Sequence, residues 1–197
     1  MKMKNVIMAA LLCGLSANLY AQEKGALRWG AGIGINSNTI SNYEDAKSKI
    51  GVSLGVKGDY FFTDNLYLGS GLFWTQKGIK DYDDKLIFNY LELPVHIGYR
   101  HQVADNVAVF GEFGPYFAYA LNGKWKLEGN DPDVDFFKKN KDGHRFDAGL
   151  GIHAGVEFNQ FQVRLGYDFG LTEIQKTHGN QKAWKHGTFT VGAAYFF

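Results

Sequence analysis

With 197 residues and 21 Lys+Arg against 20 Asp+Glu, the chain suffices for one domain, and its formal net charge of +1 gives nucleic acid no global footprint. Its single cysteine, Cys13, excludes an internal disulfide and a multi-thiolate metal site. The 25 glycines and 16% aromatic fraction are high, and suit a barrel with small inward residues and aromatic rims.

Residues 1–21 read as a cleaved signal peptide. Lys2 and Lys4 supply positive charge. Val6 to Leu15 is an apolar run too short to cross a bilayer as a helix, and a small, polar stretch ends at Leu19-Tyr20-Ala21. The rival reading, a lipid-acylated Cys13, wants a small residue where Leu12 stands. Cleavage after Ala21 removes Cys13, Lys2 and Lys4, leaving 19 bases against 20 acids. Residues 22–197 then form a single domain.

That domain reads as eight strands of period two. The first, about 27–36, sets Leu27, Trp29, Ala31, Ile33 and Ile35 against Arg28, Gly30, Gly32, Gly34 and Asn36. The second, about 50–62, sets Val52, Leu54 and Val56 against Ser53, Lys57 and Asp59. The third, about 66–77, sets Leu66, Leu68, Leu72 and Trp74 against Gly69, Gly71 and Thr75. The fourth, about 88–101, sets Leu91, Leu93, Ile97 and Tyr99 against Tyr90, Glu92, His96 and Arg100. The fifth, about 107–121, sets Val109, Phe113, Phe117 and Tyr119 against Glu112 and Gly114. The sixth, about 145–158, sets Leu150, Ile152 and Val156 against Asp147, His153 and Glu157. The seventh, about 161–172, alternates most cleanly: Phe161, Val163, Leu165, Tyr167, Phe169 and Leu171 against Gln162, Arg164, Gly166, Asp168, Gly170 and Thr172. The eighth, about 187–197, sets Phe189, Val191, Ala193, Tyr195 and Phe197 against Thr190, Gly192 and Ala194.

Short connections (63–65, 102–106, 159–160) alternate with long polar ones (37–49, 78–87, 122–144, 173–186). The pattern predicts an all-β fold, an eight-stranded antiparallel up-and-down transmembrane β-barrel with its long loops at one end. Outer-membrane barrels keep short turns on the periplasmic side, so both termini are expected there. Three features put lipid outside. Glycine lies mostly on the polar face, the apolar face carries no charge, and aromatics gather at strand ends.

The run YLELPVHIGYR at Tyr90–Arg100 resembles the signature strand of the PorT-like outer membrane β-barrel family of Bacteroides-type bacteria, which is related to the opacity-like barrels. GPYFAYAL (114–121), FDAGLGIHAGVEF (146–158) and RLGYDFGLTEI (164–174) resemble its remaining strands. Phe197 looks like that family's barrel-assembly signal. The resemblance implies an outer membrane location and handling by the barrel-assembly machinery. It also implies envelope or secretion-system proteins as candidate partners.

The inferred lumen is charged, with Arg28, Lys57, Arg100 and Arg164 facing Asp59, Glu92, Glu112, Asp147, Glu157 and Asp168, and with His96 and His153 beside them. Buried charges are costly unless paired, so these residues are expected to form a salt-bridge network that plugs a narrow barrel. The alternative is a small passive or gated pore. A third reading is a lipid-modifying enzyme, although none of the five serines downstream of Ala21 sits in a nucleophile elbow. The histidines are read as packed interior residues and not as metal ligands. Asp131, Asp133 and Asp135 resemble the opening of a calcium loop, but Phe136 and Asp142 stand where Gly and Glu are wanted. No cofactor is expected. The leading function is a structural or interaction role in the envelope, with outer membrane lipid as a partner. Lys176, Lys182 and Lys185, beside Trp184, are candidate contacts for lipid headgroups at the membrane rim.

Overall fold

The computed structural model describes residues 24–41, 47–81, 84–126, 134–139, 143–175 and 183–197. The expected signal peptide, 1–21, lies outside them. The elements are β1 (Leu27–Ile40), β2 (Lys47–Phe61), β3 (Leu66–Asp81), β4 (Asp84–Ala104), β5 (Val107–Lys126), β6 (Val134–Asp135), α1 (Phe136–Lys139), β7 (Phe146–Phe158), β8 (Phe161–Gly170) and β9 (His186–Phe196). Neighbouring long strands pair antiparallel in the order β1-β2-β3-β4-β5-β7-β8-β9, and β9 pairs back onto β1 from Gly30↔Phe196 to Ile40↔His186. The result is the expected closed barrel of eight strands. The two-residue β6 only extends the sheet beyond β5, through Lys124↔Asp135 and Trp125↔Val134. Among the described residues, closure leaves no long sheet edge to recruit another chain.

The alternation of side chains decides which face is which. Ile33, Ile35, Leu54, Ile97, Phe113, Ile152 and Leu165 all point outward and are each more than half exposed. Together with their neighbours they wrap the wall in a continuous apolar band. A water-soluble monomer does not expose a patch of that extent. Trp29, Tyr60, Tyr99 and Phe158 rim one end of this band, and Trp74, Phe117 and Tyr119 rim the other. The inward face is crowded. A Cβ on Gly98 would sit 2.1 Å from the ring of the fully buried Tyr67, so only glycine allows this approach. The β7–β8 turn is two residues long, and Asn159 takes φ 53° there, a left-handed conformation that Asn tolerates well.

At the opposite end from these short turns, the strands run further than their sequence pattern suggests. The expected loop 78–87 is almost all strand, with β3 and β4 paired up to Asp81↔Asp84. The first expected loop, 37–49, is strand up to Ile40 and again from Lys47, and β5 continues to Lys126. The reason lies on the inner face of these extensions. Ile40, Ile79, Leu86 and Phe88 are buried there with Phe136 and Ile174, and Trp125, Phe137 and Trp184 pack around them. Five buried residues expected to be loop therefore belong to an apolar core that caps this end, here called the loop end: Ile40, Ile79, Leu86, Phe136 and Ile174. Trp184 is turned into that cap and not toward the membrane rim. His186, the last residue of the expected loop 173–186, starts β9 and is buried, with the Tyr90 hydroxyl and its Nε2 3.1 Å apart.

Candidate functional site

The lumen is built by inward residues of all eight barrel strands. Toward the turn end, β1 contributes Arg28, whose guanidinium grips Glu157 of β7 through two bonds, Nη1 to Oε2 at 2.9 Å and Nη2 to Oε1 at 2.6 Å. The same group bonds Asp59 on β2 at 2.8–3.0 Å and lies 3.9 Å from the centre of the Phe196 ring. Arg100 on β4 donates to Glu157 at 2.5 Å. Lys57 sits 3.5 Å from both Asp59 and Glu112 and donates to Gln162, which in turn donates to Glu157. Planar Arg forks against carboxylates suit such a dry site, because each fork satisfies two acceptors at once.

Midway up, the rings of His96 and His153 meet edge to face at 5.0 Å, and His153 Nε2 lies 2.9 Å from Asp168 Oδ1. The guanidinium of Arg164 stacks 5.4 Å from the Phe73 ring centre. A small cavity is lined here by Ser53, Glu92, His96, His153, Arg164 and Asp168 among others, with about 20 Å³ open to water centres. That is room for one or two waters and no larger ligand. Toward the loop end, Lys77 is fully buried, 2.7 Å from Glu92 and 3.6 Å from Asp147, over the Tyr116 ring at 4.5 Å. Tyr116 and Thr172 hydroxyls donate to Asp147 at 3.2 and 2.7 Å.

The structure thus brings the sequence-selected lumen residues Arg28, Lys57, Asp59, Glu92, His96, Arg100, Glu112, Asp147, His153, Glu157, Arg164 and Asp168 to one interior. It adds Lys77, the last residue of the expected third strand. Its inward position follows from the parity of Thr75, so the signal was present. Phe61, Tyr67, Phe110 and Phe196, all buried, were also missed as floor residues of the lumen.

An Asp–His pair can serve a nucleophile, but among the described residues no hydroxyl of a serine or threonine bonds either lumen histidine. Asp135 of the suspected calcium loop instead accepts from the backbone N–H groups of Phe137 and Lys138, capping α1. Asp131, Asp133 and Asp142 lie outside the described residues, as do Lys176 and Lys182. Lys185 is placed beside Ser41, with its backbone paired to it. Phe197 donates its N–H to the Trp29 carbonyl at 2.8 Å, at the seam where the barrel closes.

No curated protein matches the chain. Among solved structures, the outer membrane enzyme PagL is 12% identical and aligns over 83% of this chain and 98% of its own, with a TM-score of 0.51. The attachment invasion locus protein Ail of Yersinia pestis is 19% identical over 88% of this chain and 99% of its own, with a TM-score of 0.47. OprG from Pseudomonas aeruginosa is 13% identical over 90% and 99%, with a TM-score of 0.48. At these identities the PagL likeness bears on the fold alone. Residues 20–176 match the outer membrane protein β-barrel domain. With the apolar band, the closed sheet and this match in hand, the chain belongs to the outer membrane β-barrel family.

Proposed function

We propose that this protein is a closed, non-catalytic outer membrane barrel that carries an interaction platform at its loop end. The platform faces the cell exterior and both termini face the periplasm. One observation carries the reading: apart from the small mid-lumen cavity, side chains fill the lumen from end to end. Paired charges and rings block the turn end, a histidine pair and Arg164 block the middle, and an apolar cap closes the loop end. A pore needs a continuous wet path, and a barrel of eight strands has an interior only wide enough for its own side chains. The extended β2–β5 sheet gives the loop end a rigid surface, which suits a structural or docking role in the envelope. The PorT-like resemblance is consistent with such a role beside secretion-system or other envelope proteins.

Single cysteines test closure and orientation together, since Cys13 is the only native one. Intact cells are treated with a membrane-impermeant maleimide. Lys126→Cys at the loop end should react. Thr190→Cys in the lumen and Gln102→Cys at the turn end should not. Reaction of Thr190→Cys would show an open lumen, and reaction of Gln102→Cys in place of Lys126→Cys would invert the barrel.

A further inference from the structure

The extended strands carry a charge pattern on their outer face that the lumen does not explain. Lys47 on β2 is registered opposite Lys80 on β3, Lys80 opposite Lys85 on β4, and Lys85 opposite Lys126 on β5. Four lysines therefore stand side by side on four adjacent strands, in a row about 14 Å wide at ordinary strand spacing. The row is exposed or half-exposed, on the opposite side of the sheet from buried Ile79 and Leu86. Like charges directly opposite one another weaken a sheet, so each of the three pairings works against the fold. No described carboxylate forms an ion pair with any of the four. The nearest registered acids, Asp81 and Asp84, form the next backbone pair toward the tip.

Below the row, the outer face steps down to the membrane. Lys49, at the β2 bulge, donates to Gln76 Oε1 at 3.1 Å. Gln76 donates to Asn89 at 3.4 Å, and Asn89 to Asn122 at 2.7 Å, forming a polar ladder across four strands. Trp74, Leu91 and Tyr119 lie one outward step below it, at the rim of the apolar band. Burial, and then the Lys85 and Lys126 charges, hold the Lys49 ammonium below the ordinary lysine value, so these amines share one field.

From these positions we infer that the outer face of the β2–β5 extension binds the phosphorylated sugar headgroup of an anionic glycolipid. Lys47, Lys80, Lys85 and Lys126 would contact its phosphates, and the Lys49–Gln76–Asn89–Asn122 ladder its hydroxyls. Distance selects this lipid class. Lys80 is six residues beyond Trp74, or roughly 15 Å along the barrel axis for strands tilted near 40°. The headgroup layer of an ordinary bilayer is only about 5–7 Å deep on each side. A phosphate one glycerol above the acyl chains lies beneath the row, whereas a headgroup with charge carried on its sugars reaches it. Lysine serves as a point-charge phosphate binder. The site is continuous with the lipid-facing wall, so the ligand needs no entry path. Only the choice of leaflet rests on the orientation proposed above.

The test uses the full-length protein, refolded in neutral detergent and mixed with a purified bisphosphorylated glycolipid, with a zwitterionic phospholipid as control. Bound lipid is counted by native mass spectrometry. Lys47→Gln/Lys80→Gln/Lys85→Gln/Lys126→Gln should lose at least about tenfold in glycolipid retention, since each lysine near an anionic surface contributes to binding. The matching four-Arg variant should keep it, and the loop variant Lys176→Gln/Lys182→Gln/Lys185→Gln should keep it too. Free inorganic phosphate at the same concentration should not compete; full competition would replace the lipid with a soluble anion and overturn the inference. Equal retention by wild type and the four-Gln variant would also overturn it. A stability readout covers poor folding of that variant. In zwitterionic lipid it should be at least as stable as wild type, because the repulsion is gone, and in glycolipid it should be less stable. No crossing of the two would contradict the inference. All these readouts are made in vitro, so they stand or fall separately from the maleimide result.

Discussion

Lys77 shows how much one inward residue matters. It is fully buried between Glu92 and Asp147, and no solvent can replace it. Lys77→Met leaves two acids facing each other without a base. Breaking a buried pair by removing one partner costs about 3–5 kcal/mol. Lys77→Met should lower barrel stability by that order, and adding Glu92→Gln should recover part of the loss; urea unfolding in lipid vesicles measures both. An additive pair of effects would show that the two do not interact. On the other face, Leu165 is half exposed to lipid near mid-strand, and Leu171 follows the end of β8 at the loop-side rim. Leu165→Arg should cost about 2–4 kcal/mol and Leu171→Arg clearly less, because the penalty falls toward the interface. The same vesicle unfolding reads the difference. Equal costs would mean that Leu165 does not lie deep in the bilayer.

At the scale of elements, the cap is the feature that separates this barrel from a bare membrane cylinder. Phe88 is wholly buried and touches Tyr90, Phe136, Phe137 and His186 with ring centres 5.0–6.0 Å apart. Phe88→Ala should destabilise the loop end by about 3–5 kcal/mol. Hydrogen exchange should then show faster opening of residues 84–90 while the β7–β8 amides remain protected. Uniform loss across the barrel would place Phe88 in the global core instead. The eight strands were legible in sequence because one face meets lipid and the other a polar lumen, which enforces a strict period of two. The extensions were not. There Ile79 and Leu86 keep the inward parity, but Lys80 and Lys85 stand beside them on the outward face and aspartates lie between, so the stretch reads as loop. Trp184 and His186 misled for a related reason: an aromatic and a histidine among polar residues give no sign of whether they face lipid or the cap. Within the lumen, charged positions stood out against glycine. Phe61 and Phe196 did not, because each adjoins another aromatic that does face outward.

Taken whole, the molecule balances an unusual interior. Five bases (Arg28, Lys57, Lys77, Arg100, Arg164) face six acids (Asp59, Glu92, Glu112, Asp147, Glu157, Asp168) inside a wall that is apolar outside. Such networks are stable only when nearly every charge is met, and the Arg28 and Arg100 bonds to Glu157 draw β1, β4 and β7 together across the lumen. The same arrangement that holds the strands in place occupies the space a solute would need. A lumen occupied in this way passes no ions, and the current carried by the purified protein in a planar lipid bilayer measures that property itself. A closed barrel predicts no steady conductance above the bare membrane at any salt concentration. A stable open level that scales with salt would contradict it.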